Sequence, residues 1–147
     1  MPVGNGTLFL GVIFGLEHLL ESGLINKMPK IIALQSENCD PLLQAKEQGL
    51  LNPTELEVKA TIAEGIAIGK PVRGREILEY AQKYDIDFIH APENQILEAR
   101  KEIAKRGIYC EHTTAANYAA YLEYCRVNGK VKDCLITMCG AGLKSDH

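Results

Sequence analysis

Four residues near the start of the chain, Gly4-Asn5-Gly6-Thr7, stand directly before an apolar-periodic run that begins at Leu8, and together they have the makings of an anion site. Glycine at positions 4 and 6 opens backbone angles closed to other residues and lets ligand oxygens approach the main chain, while the first N–H groups of a helix have no partner within it. A phosphate suits such a junction. The plainer alternative is a tight turn at Gly4 and Gly6 with Thr7 capping the helix. Loops of this kind normally follow a buried strand that aims them. Here Met1, Pro2 and Val3 precede the loop, so the chain is expected to open in the middle of a domain.

Four other groups could carry chemistry. Thr61-Ile-Ala-Glu-Gly-Ile-Ala-Ile-Gly-Lys-Pro71 holds Gly65 and Gly69, which could serve a ligand or merely allow a bend. Cys110, Glu111 and His112 are adjacent; neighbouring residues point in different directions and no spaced partner follows, which argues against a metal site. Cys139, before Gly140-Ala-Gly142, could be a functional thiol or a small buried hydrophobe. Arg73 and Arg75 could attract a phosphate or simply be solvated at a helix start. The five cysteines are odd in number and never spaced C-x-x-C, which points to reduced thiols.

Positioning these groups requires alternating helices and strands. Leu8, Val12, Leu16, Leu19 and Leu20 recur at helical spacing, with Gly23 as the stop. Residues 30–35 form an apolar run suited to a buried strand, and residues 41–49 predict a helix that starts at Pro41 with Asp40 as its cap. Residues 51–60 are a polar excursion. A helix over 74–84, a strand over 86–91 and a helix over 93–106 ended by Gly107 follow; then come a helix over 113–126 and a strand over 131–137. The order predicts an α/β fold in which a parallel sheet is covered by helices. Ligands in such sheets collect beyond the carboxyl ends of the strands, so the loops after Leu34, Ala91 and Thr137 join the opening glycine loop as candidate sites.

Composition bounds the partners. With 147 residues, 46% hydrophobic and 24% charged, the chain is sized for one domain with a substantial core. A net charge of -3 with scattered Lys and Arg gives no general attraction to nucleic acid or anionic lipid. The apolar run from Leu8 to Leu16 is too short and too glycine-interrupted to span a bilayer, and a cytoplasmic location is expected.

Taken in order, Pro2-Val-Gly-Asn-Gly-Thr7, the Thr61–Pro71 segment, Cys110-Glu-His-Thr-Thr-Ala-Ala116 and Thr137-Met-Cys-Gly-Ala-Gly-Leu-Lys144 resemble the carboxyl-terminal half of the threonine synthase family, pyridoxal-phosphate enzymes of fold type II, the tryptophan-synthase-β class. The resemblance covers nearly the whole chain. It implies that residues 1–147 are the carboxyl-terminal part of a catalytic domain, within a large domain incomplete at its amino terminus. It also implies that Gly4, Asn5, Gly6 and Thr7 hold the phosphate of pyridoxal 5'-phosphate, that the Gly65 backbone lies beside the cofactor ring where a side chain would collide, and that Cys139 meets the pyridine nitrogen. Relatives usually carry Ser or Thr at this last position. A neutral hydroxyl or thiol there, unlike a carboxylate, leaves the nitrogen largely unprotonated and the ring a weaker electron sink, which suits elimination and replacement at the β and γ carbons. A thiol is also a weaker hydrogen-bond donor than a hydroxyl.

The departure from the family pattern is an absence. The catalytic lysine of the family lies in a Ser-Phe-Lys-Asp-like segment of the amino-terminal half, with an Asn for the ring hydroxyl, and the 147 residues contain no such segment. No catalytic residue is therefore assigned, and covalent attachment of the cofactor is not expected from this polypeptide by itself. The resemblance implies an amino-terminal half carrying the Schiff-base lysine, fused or separate, a small amino-acid substrate, and a homo-oligomer when complete. The leading reaction is conversion of O-phosphohomoserine to threonine and phosphate, with threonine dehydratase and cysteate synthase as related alternatives. Without its other half the chain should expose apolar faces and associate. A non-catalytic phosphate-ligand or regulatory module is the competing account. A nucleotide-binding domain ranks behind both, since the G-x-G-x-x-G spacing and a ribose acid are missing.

Overall fold

The computed structural model describes residues 1–144, with the backbone only at Lys144. Helix α1 (Thr7–Glu21) starts at Gly6, whose φ of 88° lies in the left-handed region that favours glycine. Gly6 itself occupies the cap position, and the hydroxyl cap that Thr7 could have supplied is not made. Phe9, Leu10 and Ile13 bury one face of α1, and the helix ends where Gly23 turns with φ 72°.

Strands β1 (Ile32–Ser36) and β2 (Asp87–Ala91) pair in parallel, in register from Ile32 against Asp87 to Ser36 against Ala91. Residues 1–3 extend this sheet along the other edge of β1. Pro2 bridges Leu34 in parallel, the Val3 N–H donates to the Leu34 carbonyl at 2.9 Å, and the Leu34 N–H donates to the Met1 carbonyl at 2.9 Å. The glycine loop is thus aimed by a short extended segment.

Alternate residues of β1 face opposite sides of the sheet. Ile31 and Ala33 join Val3, Phe9, Leu10, Leu42, Ile77 and Ile86 in one core, beneath α1, α2 (Pro41–Glu47) and α3 (Gly74–Lys83). Leu34 faces the other way, into a second core with Ala91, Ile96, Ile103, Ala115, Ala116 and Ala120, beneath α4 (Ile96–Ala104) and α5 (His112–Asn128). Alanine along the buried side of α5 permits close approach to the sheet and to the Ala63–Ile66 turn.

Several sequence expectations are adjusted. The helix expected from residue 93 opens as a 3-10 turn, Glu93–Gln95, before α4, and Gly107 ends it with φ 81°. Asp40 stands at the cap position of α2 without capping it: its carboxylate accepts from Gln44 Nε2 at 2.9 Å and lies 2.8 Å from His90 Nε2. The wholly buried Gln35 does the capping instead, its Oε1 accepting from the N–H groups of Leu42 at 2.9 Å and Leu43 at 3.1 Å. The strand expected over 131–137 does not form. The segment makes no ladder with the described residues and leaves Leu135 84% exposed; an apolar run becomes a strand only where a partner takes its backbone groups. Among the described residues no helix is long and apolar enough to cross a membrane.

Candidate functional site

The glycine loop and the Gly65 turn meet. A methyl group on Gly4 would stand 3.1 Å from the Gly65 carbonyl oxygen and 3.2 Å from Ile68 Cγ1, so the two backbones pack directly on one another. At Gly6 a methyl group would come within 2.8 Å of Ile77 Cγ1, and glycine is required there by space as well as by φ. The Asn5 carbonyl oxygen of the side chain accepts from the Val72 N–H at 3.3 Å, tying the loop to the start of α3. The Leu10 N–H bonds back to Gly6 at 2.9 Å, which leaves the N–H groups of Thr7, Leu8 and Phe9 as the donors a helix start presents outward. Thr7 and Asn5 are exposed, and Gly6 is buried.

The Gly65 turn, Glu64–Ile66, is held from two sides. On the strand side, Glu93 just beyond β2 accepts from the Ile62 N–H at 2.6 Å and the Thr61 hydroxyl at 2.7 Å, while the Ser36 hydroxyl at the end of β1 donates to Thr61 Oγ1 at 3.0 Å. On the other side lies the first turn of α5. A methyl group on Gly65 would stand 2.7 Å from Thr113 Oγ1, so the glycine requirement expected from a cofactor ring arises already from the protein's own packing.

The same turn of α5 receives Cys139. Thr114 is wholly buried, and its hydroxyl oxygen accepts from the N–H groups of Cys139 at 3.0 Å and Gly140 at 3.3 Å. Asn117 Nδ2, on the same side of the helix, donates to the Thr137 carbonyl at 3.0 Å and to its hydroxyl at 3.1 Å. Gly140 backs against Glu111, whose carboxyl carbon would lie 2.9 Å from a methyl group there. Partial burial lifts the Cys139 thiol above its ordinary pKa, with Glu111 adding to the rise, although one side of the residue is open to solvent. The thiol is therefore protonated at neutral pH, a neutral donor. Burial, with the nearby Arg100 charge, pushes His112 below its ordinary value.

The structure thus links Gly4 to Gly65, Gly65 to Thr113, and, through the next residue of the same helix, Thr114 to Cys139. These residues do not line the apolar cleft of about 480 Å³ between Met1, Leu34, Ile89, Tyr124 and residues 131–137, which touches the neighbourhood at Asn117 and Thr137. No group of three or more His, Cys, Asp or Glu among the described residues is arranged to hold a metal ion.

A model of the pyridoxal-phosphate dependent enzymes matches residues 1–140. The chain belongs to this family. It is 28% identical over 120 residues to a threonine synthase of Methanosarcina acetivorans, a stretch that is 81% of this chain and 30% of that protein. It is 29% identical over 131 residues to the L-threonine ammonia-lyase of Thermotoga maritima, 88% of this chain and again 30% of the relative. In fold it is similar to the serine racemase of Dictyostelium discoideum, with a TM-score of 0.70 at 22% identity, over 97% of this chain and 42% of that one. The chain therefore spans about a third of the length of the relatives it matches, and its α/β fold is that of the fold type II pyridoxal-phosphate enzymes.

The residues present fit a phosphorylated pyridine cofactor of this family. Gly4 and Gly6 leave the α1 start bare of side chains, the helix N–H groups offer donors to an anion, and a protonated thiol stands on the loop beyond. Thr113, Thr114, Asn117, Thr61, Ser36 and Glu93 support this arrangement and carried no assigned role in the sequence. Their signal was faint: two threonines and an asparagine interrupting the alanine stripe of α5, and a glutamate placed just beyond the end of a strand.

Proposed function

We propose that residues 1–147 form the carboxyl-terminal part of the catalytic domain of a pyridoxal-phosphate enzyme that acts on a small hydroxy or phospho-hydroxy amino acid, with threonine synthase chemistry, O-phosphohomoserine to threonine and phosphate, as the leading reaction. The observation that carries this proposal is the direct packing of Gly4 on the Gly65 carbonyl, 3.1 Å from a methyl position, in a chain of this family. When bound, the cofactor supplies an electron sink for carbanion character on the substrate.

The chain's own residues do the rest of the work assigned here. The N–H groups of Thr7, Leu8 and Phe9, with the bare backbone at Gly4, Asn5 and Gly6, hold the cofactor phosphate at the positive end of α1. Gly65 lines the ring, kept in place by Glu93 and Thr113. Cys139 offers a neutral S–H at the ring nitrogen and keeps that nitrogen largely free of a proton. The lysine that attaches the cofactor in this family is supplied by an amino-terminal part, fused or separate, in keeping with a match that spans 30% of the threonine synthase relative. A homo-oligomer in the cytoplasm is the proposed setting, and five free thiols accord with it.

A second reaction, threonine ammonia-lyase chemistry, is favoured by the 29% identity to the Thermotoga maritima relative. Complementation separates the two. The chain is mixed with pyridoxal phosphate and a lysine-bearing amino-terminal part of a threonine synthase, and phosphate release from O-phosphohomoserine is compared with ammonia release from threonine. Activity that appears only on mixing, and is abolished by Gly6→Asp, is expected. Activity unaffected by Gly6→Asp would remove the glycine loop from the mechanism, and a reducible adduct of pyridoxal phosphate at one specific lysine of this chain by itself would contradict the division of labour.

A further inference from the structure

Two buried polar side chains of α5 stand behind the site without touching the positions assigned to the cofactor. Thr114 is 0% and Asn117 is 4% exposed, and both lie among Ala115, Ala116, Ala119 and Ala120, where an alanine would fill the space at lower desolvation cost. Both spend their hydrogen bonds on a single loop. The Thr114 hydroxyl accepts the Cys139 and Gly140 N–H groups at 3.0 and 3.3 Å, and Asn117 Nδ2 donates to the Thr137 carbonyl and hydroxyl at 3.0 and 3.1 Å. The Glu111 N–H, at the start of the same helix, donates to the Gly140 carbonyl at 3.0 Å. Downstream the loop is pinned by a bridge between Ala141 and Cys110 and by the Gly142 N–H, which donates to the Tyr109 carbonyl at 3.1 Å; upstream it has little to hold it except Asn117, since residues 131–137 make no ladder and Leu135 is 84% exposed.

The neighbour in sequence of Thr114 faces the opposite wall of the site. Thr113 Oγ1 stands 2.7 Å from a methyl position on Gly65. Successive residues of one helix turn therefore abut the Gly65 turn and the Cys139 loop, and the rigid peptide between them fixes the spacing of those two walls.

We propose that Thr114 is a positioning residue for Cys139: by fastening the backbone of residues 139–140 to the first turn of α5, with Asn117 as a second anchor at Thr137, it sets the distance between the Cys139 thiol and the Gly65 turn, and so the width of the slot for a flat heteroaromatic ring. The ring is that of the proposed cofactor, so this part of the inference rests on that functional reading; the fastening itself does not.

The test uses the full chain, with amide hydrogen exchange followed by mass spectrometry, and pyridoxal phosphate binding followed by absorbance. In Thr114→Val, the Cys139 and Gly140 amides should exchange about fivefold faster or more, the loss of a net hydrogen bond or so, while the Leu135 amide changes less than about twofold. Thr114→Ser keeps the hydroxyl and should restore the parent exchange and the parent affinity, whereas Thr114→Val should bind pyridoxal phosphate about tenfold more weakly with a changed absorbance maximum. Equal exchange at Cys139 and Gly140 in the parent and in Thr114→Val, or failure of serine to rescue, overturns the positioning role. Should Thr114→Val not fold, exchange in the parent decides: the Cys139 and Gly140 amides should exchange about tenfold more slowly than that of Leu135, and equal rates overturn the proposal. An exchange contrast at Cys139 and Gly140 in a chain that takes up no pyridoxal phosphate, with or without a lysine-bearing part, leaves Thr114 as the fastener and removes the cofactor reading instead.

Discussion

Gly65 turns its missing side-chain direction onto the hydroxyl of Thr113, 2.7 Å from where a methyl group would sit, and the rest of the threonine stands back: its Cβ is 3.5 Å and its Cγ2 3.7 Å from the same point. The conflict is therefore with one oxygen atom. Gly65→Ala should cost about 1–3 kcal/mol through overpacking. Thr113→Ala removes that oxygen, so the double variant should recover most of the loss. Urea unfolding of the four proteins of the cycle measures the coupling, and additive effects would mean that another neighbour imposes the glycine.

Gly6 and Gly23 separate conformational strain from steric strain. Both have positive φ, 88° and 72°, but a methyl group on Gly23 meets open space, whereas on Gly6 it runs into Ile77. Gly23→Ala should lose about 1–2 kcal/mol from the left-handed backbone, and Gly6→Ala about 1–3 kcal/mol beyond that. Unfolding midpoints compare the two, and pairing Gly6→Ala with Ile77→Val should return part of the excess.

Gln35 provides the acceptor for the first turn of α2 from a strand rather than from the preceding loop. Gln35→Met keeps the volume and deletes the amide, orphaning the N–H groups of Leu42 and Leu43 at a loss of about 2–4 kcal/mol. Hydrogen exchange at these two amides should accelerate more than at Leu10, in a different helix. Asp40→Ala, by contrast, should leave their exchange unchanged, because its carboxylate is engaged with Gln44 and His90.

His112 makes stability sensitive to mild acid. Burial and the Arg100 charge hold its folded pKa below the ordinary 6.5, so as pH falls through that value the unfolded chain takes up the proton first. The contribution is fully present above 6.5 and is lost as pH drops toward the folded value. His112→Gln should flatten the dependence of the urea midpoint on pH below about 6.5. An unchanged slope would assign the acid response to other groups.

Much of the fold could be read from periodicity and punctuation. Gly23 and Gly107 mark helix ends by the positive φ they adopt, and the alternation of Ala33 and Leu34 across the sheet follows from strand geometry. What could not be read depends on partners distant in sequence. Asp40 has the right type and place for a cap, yet Gln35 reaches α2 first because β1 ends beneath it. Residues 131–137 have the composition of a strand and lack a described neighbour to pair with. In the site, Gly4 and Gly65 stood out by residue type, whereas Thr113 and Thr114 acquire a role only once α5 is laid between two loops.

The short run from Met1 to Val3 checks the alignment of the glycine loop. Its backbone is bonded to Leu34 on both sides, and Val3 is 1% exposed in the core under α1. A slip of one residue along β1 would move Gly4 by about 3.3 Å off Gly65 and swing Val3 from the oily interior to the opposite face. Misalignment is thus penalised by hydrophobic exposure, and the glycine loop inherits its accuracy from a single valine.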